Sequence, residues 1–276
     1  EPAVDPGEGD PAHHVVLFPD TYTNYMYPDP GKAAVRVLEA AGGAVAMPDD
    51  LAPSGRAAFS LGFLDRARER AEHNVDALAP LVADGWSVVA VEPSDAVAFQ
   101  DEYRDLCSGD AVERVSESAY GVMEFLDVHR FDESLSFAGG GAADGSAGES
   151  PADADGPTGE SPADADGTLG TLAYHGHCNQ KARNTDHHAV GVLRRAGYAV
   201  DPIDSGCCGM AGSFGYEAEH YDLSQAIGEI LFEQVDASDA GTVVAPGASC
   251  RTQLGDRPGA ERPPHPVEKV AEAVER

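Results

Sequence analysis

A chain of 276 residues that is 42% hydrophobic is long enough for two compact domains and too apolar to stay disordered. Its 48 Asp and Glu against 18 Lys and Arg give a formal net charge of -30, which argues against nucleic acid or an anionic membrane surface as a partner. The carboxylates are spread over nearly every segment and only Lys32, Lys181 and Lys269 are lysine, a pattern expected of a protein adapted to molar salt, where the screening length shrinks to about 3 Å. No run of 18 apolar residues suggests a transmembrane segment, and the acidic, Pro-rich stretch from Glu1 to Ala12 is unlike a signal peptide. Glu1 in place of an initiator Met points to a segment of a longer chain. Five cysteines do not form the even framework of a secreted disulfide protein. Metal or redox chemistry in a reducing cytoplasm fits them better, with peripheral attachment at the inner face of a membrane as the alternative location.

In chain order, Val15 to Phe18 is an apolar run that predicts a strand, and Gly31 to Ala41 predicts a helix, its apolar face made by Val35, Val37 and Leu38. Gly42 then stands where a helix cap needs a left-handed residue. A short strand (44–46), a long amphipathic helix (about 64–81) and a third strand (87–91) follow. Residues 137–170 are mostly Gly, Ala, Ser, Asp, Glu and Pro and contain the nonapeptide Gly148 to Gly156 twice, the second copy at Gly159 to Gly167. That composition cannot bury enough surface to offset ordering entropy, so a disordered acidic linker is expected. Beyond it the same series recurs: strand 172–174, helix 187–196, Gly197, strand 199–200, helix 223–233 and strand 242–245. Val37-Leu38 returns as Val192-Leu193 and Val88-Val89-Ala90 as Val243-Val244-Ala245, both 155 positions on. The expected architecture is therefore α/β: two tandem duplicated lobes, 1–136 and 171–276, each a small parallel sheet flanked by helices.

In such sheets, sites form in loops at the carboxyl ends of strands. Cys178 follows the first strand of the second lobe, Cys207 and Cys208 the second, and Cys250 the third. Four thiols meeting from separate loops suit a metal centre, because thiolates bind iron–sulfur clusters, zinc or copper(I). The gaps between them match neither a zinc finger nor a ferredoxin run, so the duplication carries the argument more than the spacing. A vicinal disulfide between Cys207 and Cys208 would be strained and is disfavoured in a reducing compartment. Cys107 reads as a small buried hydrophobe. His177, next to Cys178, is a candidate further ligand, with His175 a more distant neighbour of the site. His187, His188 and His220 read as surface residues. Gly209, Ser213 and Gly215 belong to a Gly-rich loop whose backbone N–H groups are candidates to face cluster sulfurs. The first lobe has Thr21 or a near neighbour, Pro53-Ser54 and Asp95 at the matching positions, so it is expected to support the site without holding a cluster.

Several ordered motifs resemble one family. Tyr174-His-Gly-His-Cys178, the stretch Gly206-Cys-Cys-Gly-Met-Ala-Gly-Ser-Phe-Gly-Tyr-Glu217, and Gly247-Ala-Ser-Cys-Arg251 are similar to the cysteine-rich CCG domains. These occur in the CCG-bearing part of heterodisulfide reductase and in the iron–sulfur parts of FAD-linked D-lactate, glycolate, glycerol-3-phosphate and D-2-hydroxyglutarate dehydrogenases. In the first lobe, Phe18-Pro-Asp-Thr-Tyr-Thr-Asn24, Ser54-Gly-Arg56 and Glu92-Pro-Ser94 resemble the family's first copy. The resemblance implies an electron-transfer module that is not itself the catalytic part. It implies FAD on a separate domain or subunit, and a ferredoxin-type cluster domain or a quinone-linked carrier as acceptor. The family pattern ends in C-x-x-C, and Gly247 replaces the first of those two thiols. Four thiolates favour an ordinary 4Fe-4S cluster over a non-cubane one, with zinc as the other candidate. A structural zinc-bound interaction domain and a thiol/disulfide redox site of the heterodisulfide reductase type are the competing functions.

The charge pattern generates a test. Melting followed across a KCl series should show the fold lost below roughly molar salt and gained above it; a melting temperature independent of KCl would contradict adaptation to salt.

Overall fold

The protein is described by a computed structural model covering residues 13–137 and 168–275, with only the backbone of Glu275 included. The predicted linker falls almost wholly on 138–167, outside the described residues.

The first lobe runs β1 (His13–Phe18), α1 (Thr21–Tyr25), α2 (Asp29–Ala40), β2 (Gly43–Ala46), α3 (Arg56–Ser60), α4 (Leu64–Ala83) and β3 (Ser87–Ala90). It continues through α5 (Pro93–Val97), a π-helical turn (Ala98–Glu102), α6 (Tyr103–Leu106), α7 (Asp110–Glu117), β4 (Ala119–Gly121), α8 (Val122–Val128) and a 3-10 turn (Phe131–Ser134). The second lobe contains β5 (Thr171–Tyr174), α9 (Cys178–Ala182), α10 (His187–Arg195), β6 (Ala199–Pro202), a 3-10 turn (Phe214–Tyr216), α11 (Tyr221–Asp236), β7 (Thr242–Val244), α12 (Ala248–Gly255) and α13 (Pro266–Glu275). Both sheets are parallel, ordered β2-β1-β3-β4 and β6-β5-β7. In each sheet the first strand lies between the second and the third, so the loops after all three open at one end.

Strands β1, β3 and β5 are apolar on both faces because both faces are covered. Val15 and Leu17 of β1, with Leu172 and Tyr174 of β5, point into one core made with α2, α8, α10 and α13. Val16 and Phe18 point the other way, onto α4 and α7, and Ala173 points toward Leu231 of α11 and the cysteines. The period-two alternation of a strand thus sorts the side chains between a shared helical layer and two outer ones. Within the shared layer the final helices are exchanged: α8 of the first lobe packs on α10 of the second, and α13 of the second packs on α2 of the first.

Polar contacts pin that exchange. Arg195, ending α10, donates to Asp132 (Nε to Oδ2, 2.6 Å) and to Asp127 (NH2 to Oδ1, 2.5 Å). Asp132 is fully buried, and His188 Nδ1 lies 2.6 Å from the other oxygen of Asp127. His187 stays exposed. No helix among the described residues is long and apolar enough to cross a membrane.

Removing the arginine should leave Asp132 buried without its partner. Arg195→Ala is expected to lose about 3 kcal/mol of stability, read as an earlier denaturant midpoint at fixed KCl, with Asp132→Asn in the same chain recovering part of it. An unchanged midpoint would show that the pair does not hold the lobes.

Candidate metal centre

The four cysteines of the second lobe are placed by the ends of three strands. Cys178 opens α9, directly after β5; Cys207 and Cys208 lie in the loop after β6; Cys250 is the third residue of α12, after β7. Because β6, β5 and β7 are adjacent, these three loops converge. The sulfurs form a chain of neighbours, Cys178 against Cys207, Cys207 against Cys208, and Cys208 against Cys250. Cys208 and Cys250 are buried, Cys207 is half-buried and Cys178 is exposed.

The loop after β6 turns sharply at Gly209, whose φ is +93°. A Cβ there would run into the carbonyl oxygen of Ser224. Only glycine tolerates both that backbone and that approach, and the turn brings Gly209 N–H to Cys207 Sγ at 3.3 Å. The Ala211 amide also points at Cys207. The Gly215 amide is used within the loop, donating to Met210 O at 3.0 Å. Ser213 is exposed, its carbonyl accepting from Tyr216 N, and no hydrogen bond among the described residues joins it to a thiol.

Protons are shared unevenly along the sulfur chain. Cys207 is held far below the usual thiol range by the thiols of Cys178 and Cys208, against the cost of burial and with help from the two amides. Cys250 is held low by Cys208, against full burial, with His175 and His177 adding to the effect. Cys178 and Cys208 are pushed up as the proton-bearing partners, chiefly by Cys207. Thiol protons are thus shared between neighbouring sulfurs, and a metal bound there would displace them.

The two nearby histidines differ. His177 caps α9, its Nδ1 accepting from Asn179 N–H at 3.2 Å, which puts the ring proton of the neutral form on Nε2. Its ring also fills the space beside Gly247, where a Cβ would collide with His177 Cδ2. His175 extends β5, its N–H donating to Val244 O at 3.0 Å, and shares the face of Ala173 that looks toward the cysteines. Its Nδ1 lies 2.7 Å from Ser205 Oγ, and its buried Nε2 has no oxygen or nitrogen partner. A ring nitrogen of His175 and the sulfurs of Cys208 and Cys250 lie within 4.8 Å of one another. Four neighbouring sulfurs with a buried imidazole beside them suit a thiolate-bound metal centre.

The first lobe carries an oxygen-bearing counterpart. Asp20 caps α1 as His177 caps α9, accepting from Tyr22 N and Thr23 N at 2.9 and 3.0 Å. Ser54 bonds Asp95 at the place of the cysteine pair, and Asp95 is the third residue of α5 as Cys250 is of α12. Glu92 stands where the second lobe has Gly247; its Oε2 accepts the Ala248 N–H of α12 at 2.8 Å while Oε1 accepts from Ser94. Burial raises the carboxyls of Asp20 and Glu92, and burial together with the nearby Asp20 raises Asp95 to about 8. Cys107 lies apart, half-buried against the outer core of the first lobe, and His220 stacks on Phe214. Sequence proximity does not reveal the Glu92 cap, since its partner is 156 residues away; only the duplicated register hints at it.

A group of thiols at the strand ends of one lobe stands beside a lobe with no thiol at the matching strand ends. The thiol-bearing segment matches the model of the CCG cysteine-rich domain over residues 172–255. Across almost its whole length the chain is similar to one of the subunits of the anaerobic glycerol-3-phosphate dehydrogenase of Escherichia coli, at 26% identity over 94% of this chain and 59% of the relative. It is also similar to D-2-hydroxyglutarate dehydrogenase of the same organism, at 27% identity over 95% of this chain and 23% of the relative. The glycolate oxidase iron-sulfur subunit of Escherichia coli matches at 24% identity over 91% of this chain and 56% of the relative. The chain thus spans between about a quarter and three fifths of these relatives.

The raised carboxyl of Asp95 sets a pH dependence. Between its ordinary value of 3.8 and about 8 the folded protein holds a proton that the unfolded chain has lost, so stability falls as pH rises through that window. Melting at fixed KCl should therefore occur at lower temperature at pH 8 than at pH 5, and Asp95→Asn should reduce the slope. A slope of opposite sign would mean that Asp95 is ionised in the fold.

Proposed function

We propose that this chain is the iron–sulfur electron-transfer module of an FAD-linked dehydrogenase, with Cys178, Cys207, Cys208 and Cys250 holding the cluster. The observation that carries the reading is the meeting of four sulfurs from three loops in one CCG domain. An iron–sulfur cluster of the 4Fe-4S type would supply reversible one-electron transfer at this place. The protein's own part is to keep Cys208 and Cys250 away from water, to direct the Gly209 amide at Cys207 and to leave Cys178 as the exposed edge of the site. Amide hydrogen bonds to sulfur and burial are the levers by which such a site sets its potential.

The flavin belongs on a separate domain or subunit in this reading, which is supported by how little of the D-2-hydroxyglutarate dehydrogenase relative the chain covers. The substrate class is a 2-hydroxy acid of the D-lactate, glycolate or D-2-hydroxyglutarate type. Electrons pass on to a ferredoxin-type cluster domain or a quinone-linked acceptor, in the cytoplasm or at the inner face of the membrane. Residues 1–136 and 171–276 are the two lobes, and 137–170 is the acidic linker between them.

A second reading rests on one cluster. Zinc takes His and Cys ligands in a four-coordinate site, and His175, Cys208 and Cys250 gather within 4.8 Å of one another. A single structural ion could therefore be held by part of the same set.

Iron, acid-labile sulfide and zinc measured on anaerobically purified chain separate the two. Iron and sulfide in near-equal amounts, lost in Cys250→Ser, are expected; stoichiometric zinc without sulfide would replace electron transfer by a structural role.

A further inference from the structure

We infer that His175 Nε2 is a protein ligand of the centre, bound beside Cys208 and Cys250. The inference rests on the metal-centre reading above and places the imidazole in one of the four ligand positions of a 4Fe-4S cluster or a zinc ion, so that one of the four thiols is left unbound.

Three observations converge on this atom. His175 is fully buried, its Nε2 has no oxygen or nitrogen partner, and the polar group its ring does meet is the Cys250 thiol. A ring nitrogen of His175 lies within 4.8 Å of the sulfurs of both Cys208 and Cys250. The other ring nitrogen is engaged, Nδ1 standing 2.7 Å from Ser205 Oγ. Ser205 is itself held, its N–H donating to Ile203 O at 2.9 Å and its carbonyl receiving Lys181 Nζ. With Nδ1 on Ser205, Nε2 is the ring nitrogen left to face the sulfurs. A metal-bound histidine characteristically has this arrangement: one nitrogen on the metal, the other fixed by a hydrogen bond.

His177, the nearer histidine in sequence, is arranged in the opposite sense. Its Nδ1 accepts from Asn179 N–H, so its neutral form bears the proton on Nε2 and has no lone pair there to give. Its ring also occupies the volume beside Gly247, so a thiol at 247 would collide with it. The exchange is therefore chemical and steric together: the side of the site that has lost a thiol is filled by the His177 ring, and the free lone pair comes from the end of β5. Ligand formation involves no oxidation; a neutral imidazole donates its lone pair and Nδ1 keeps its proton.

The experiment uses the whole chain labelled with ¹⁵N-histidine, reconstituted anaerobically with ferrous iron and sulfide, reduced with dithionite, and examined by pulsed electron paramagnetic resonance. One strongly coupled histidine nitrogen is expected in the unmodified chain and in His177→Gln. It should vanish in His175→Gln and in His175→Cys. His175→Cys should retain the iron content and shift the midpoint potential to more negative values, because thiolate is the more electron-rich ligand. That variant guards against a simple folding failure of His175→Gln. A cluster-loaded chain with no strongly coupled nitrogen, or one whose coupling survives in His175→Gln, overturns the assignment. If the chain takes up zinc and no cluster, the electron-transfer reading fails while His175 remains testable. Zinc absorption spectra should then show one imidazole that disappears in His175→Gln, and its persistence would overturn the ligand assignment too.

Discussion

Glu92 stands at the start of two helices in two lobes: one carboxylate oxygen meets Ser94 in α5, and the other takes the Ala248 amide of α12, the helix that bears Cys250. The group is buried, and its desolvation is costly enough to raise its pKa. Such a carboxyl persists only where its hydrogen bonds are made, so the two lobes must sit in one register for it to be tolerated. Rotating one lobe against the other would strip the cap from α12 and move Cys250 away from Cys208. The assembly of the sulfur cluster thus depends on a residue from the lobe that has no sulfur at its own site.

The two lobes offer the same backbone to different chemistry. At the ends of the first sheet, Asp20, Ser54, Glu92 and Asp95 occupy the places held in the second by His177, the cysteine pair, Gly247 and Cys250. Oxygen atoms in such a buried place find hydrogen bonds within the protein: Ser54 to Asp95, Asp20 to the first turn of α1, Glu92 to α5 and α12. Sulfur atoms, weak acceptors, find mainly one another and a few amides. The first site is therefore closed by its own bonds, whereas the thiols of the second share protons with one another and face a buried imidazole.

Much of this is legible in the chain. Both sets of three strands and the helices α2, α4, α10 and α11 follow from apolar runs and helical periodicity, with boundaries displaced by one to three residues. The 155-residue recurrence by itself places the cysteine loops at one end of a sheet. The three-residue strand β4 and the helices α7, α8 and α13 escape such a reading. β4 is too short to show alternation, and α13 follows a Pro-rich stretch after the last cysteine motif and packs onto the first lobe, a contact no local pattern encodes. The roles of His175 and His177 are also obscured, because closeness to Cys178 in sequence favours His177. Strand alternation, carried one residue past Tyr174, turns His175 toward the sulfurs, while helix capping commits His177 Nδ1 to a backbone amide.

The trading of terminal helices has an evolutionary corollary. Since α8 covers α10 and α13 covers α2, neither half can be lost, shuffled or borrowed by another gene without uncovering the apolar stripe of its sibling. A copy that had shed every thiol would still be kept under selection as the roof of its neighbour. Decay of ligands in one member of such a pair is therefore cheap, whereas deletion of that member is not, and the degenerate twin endures as architecture.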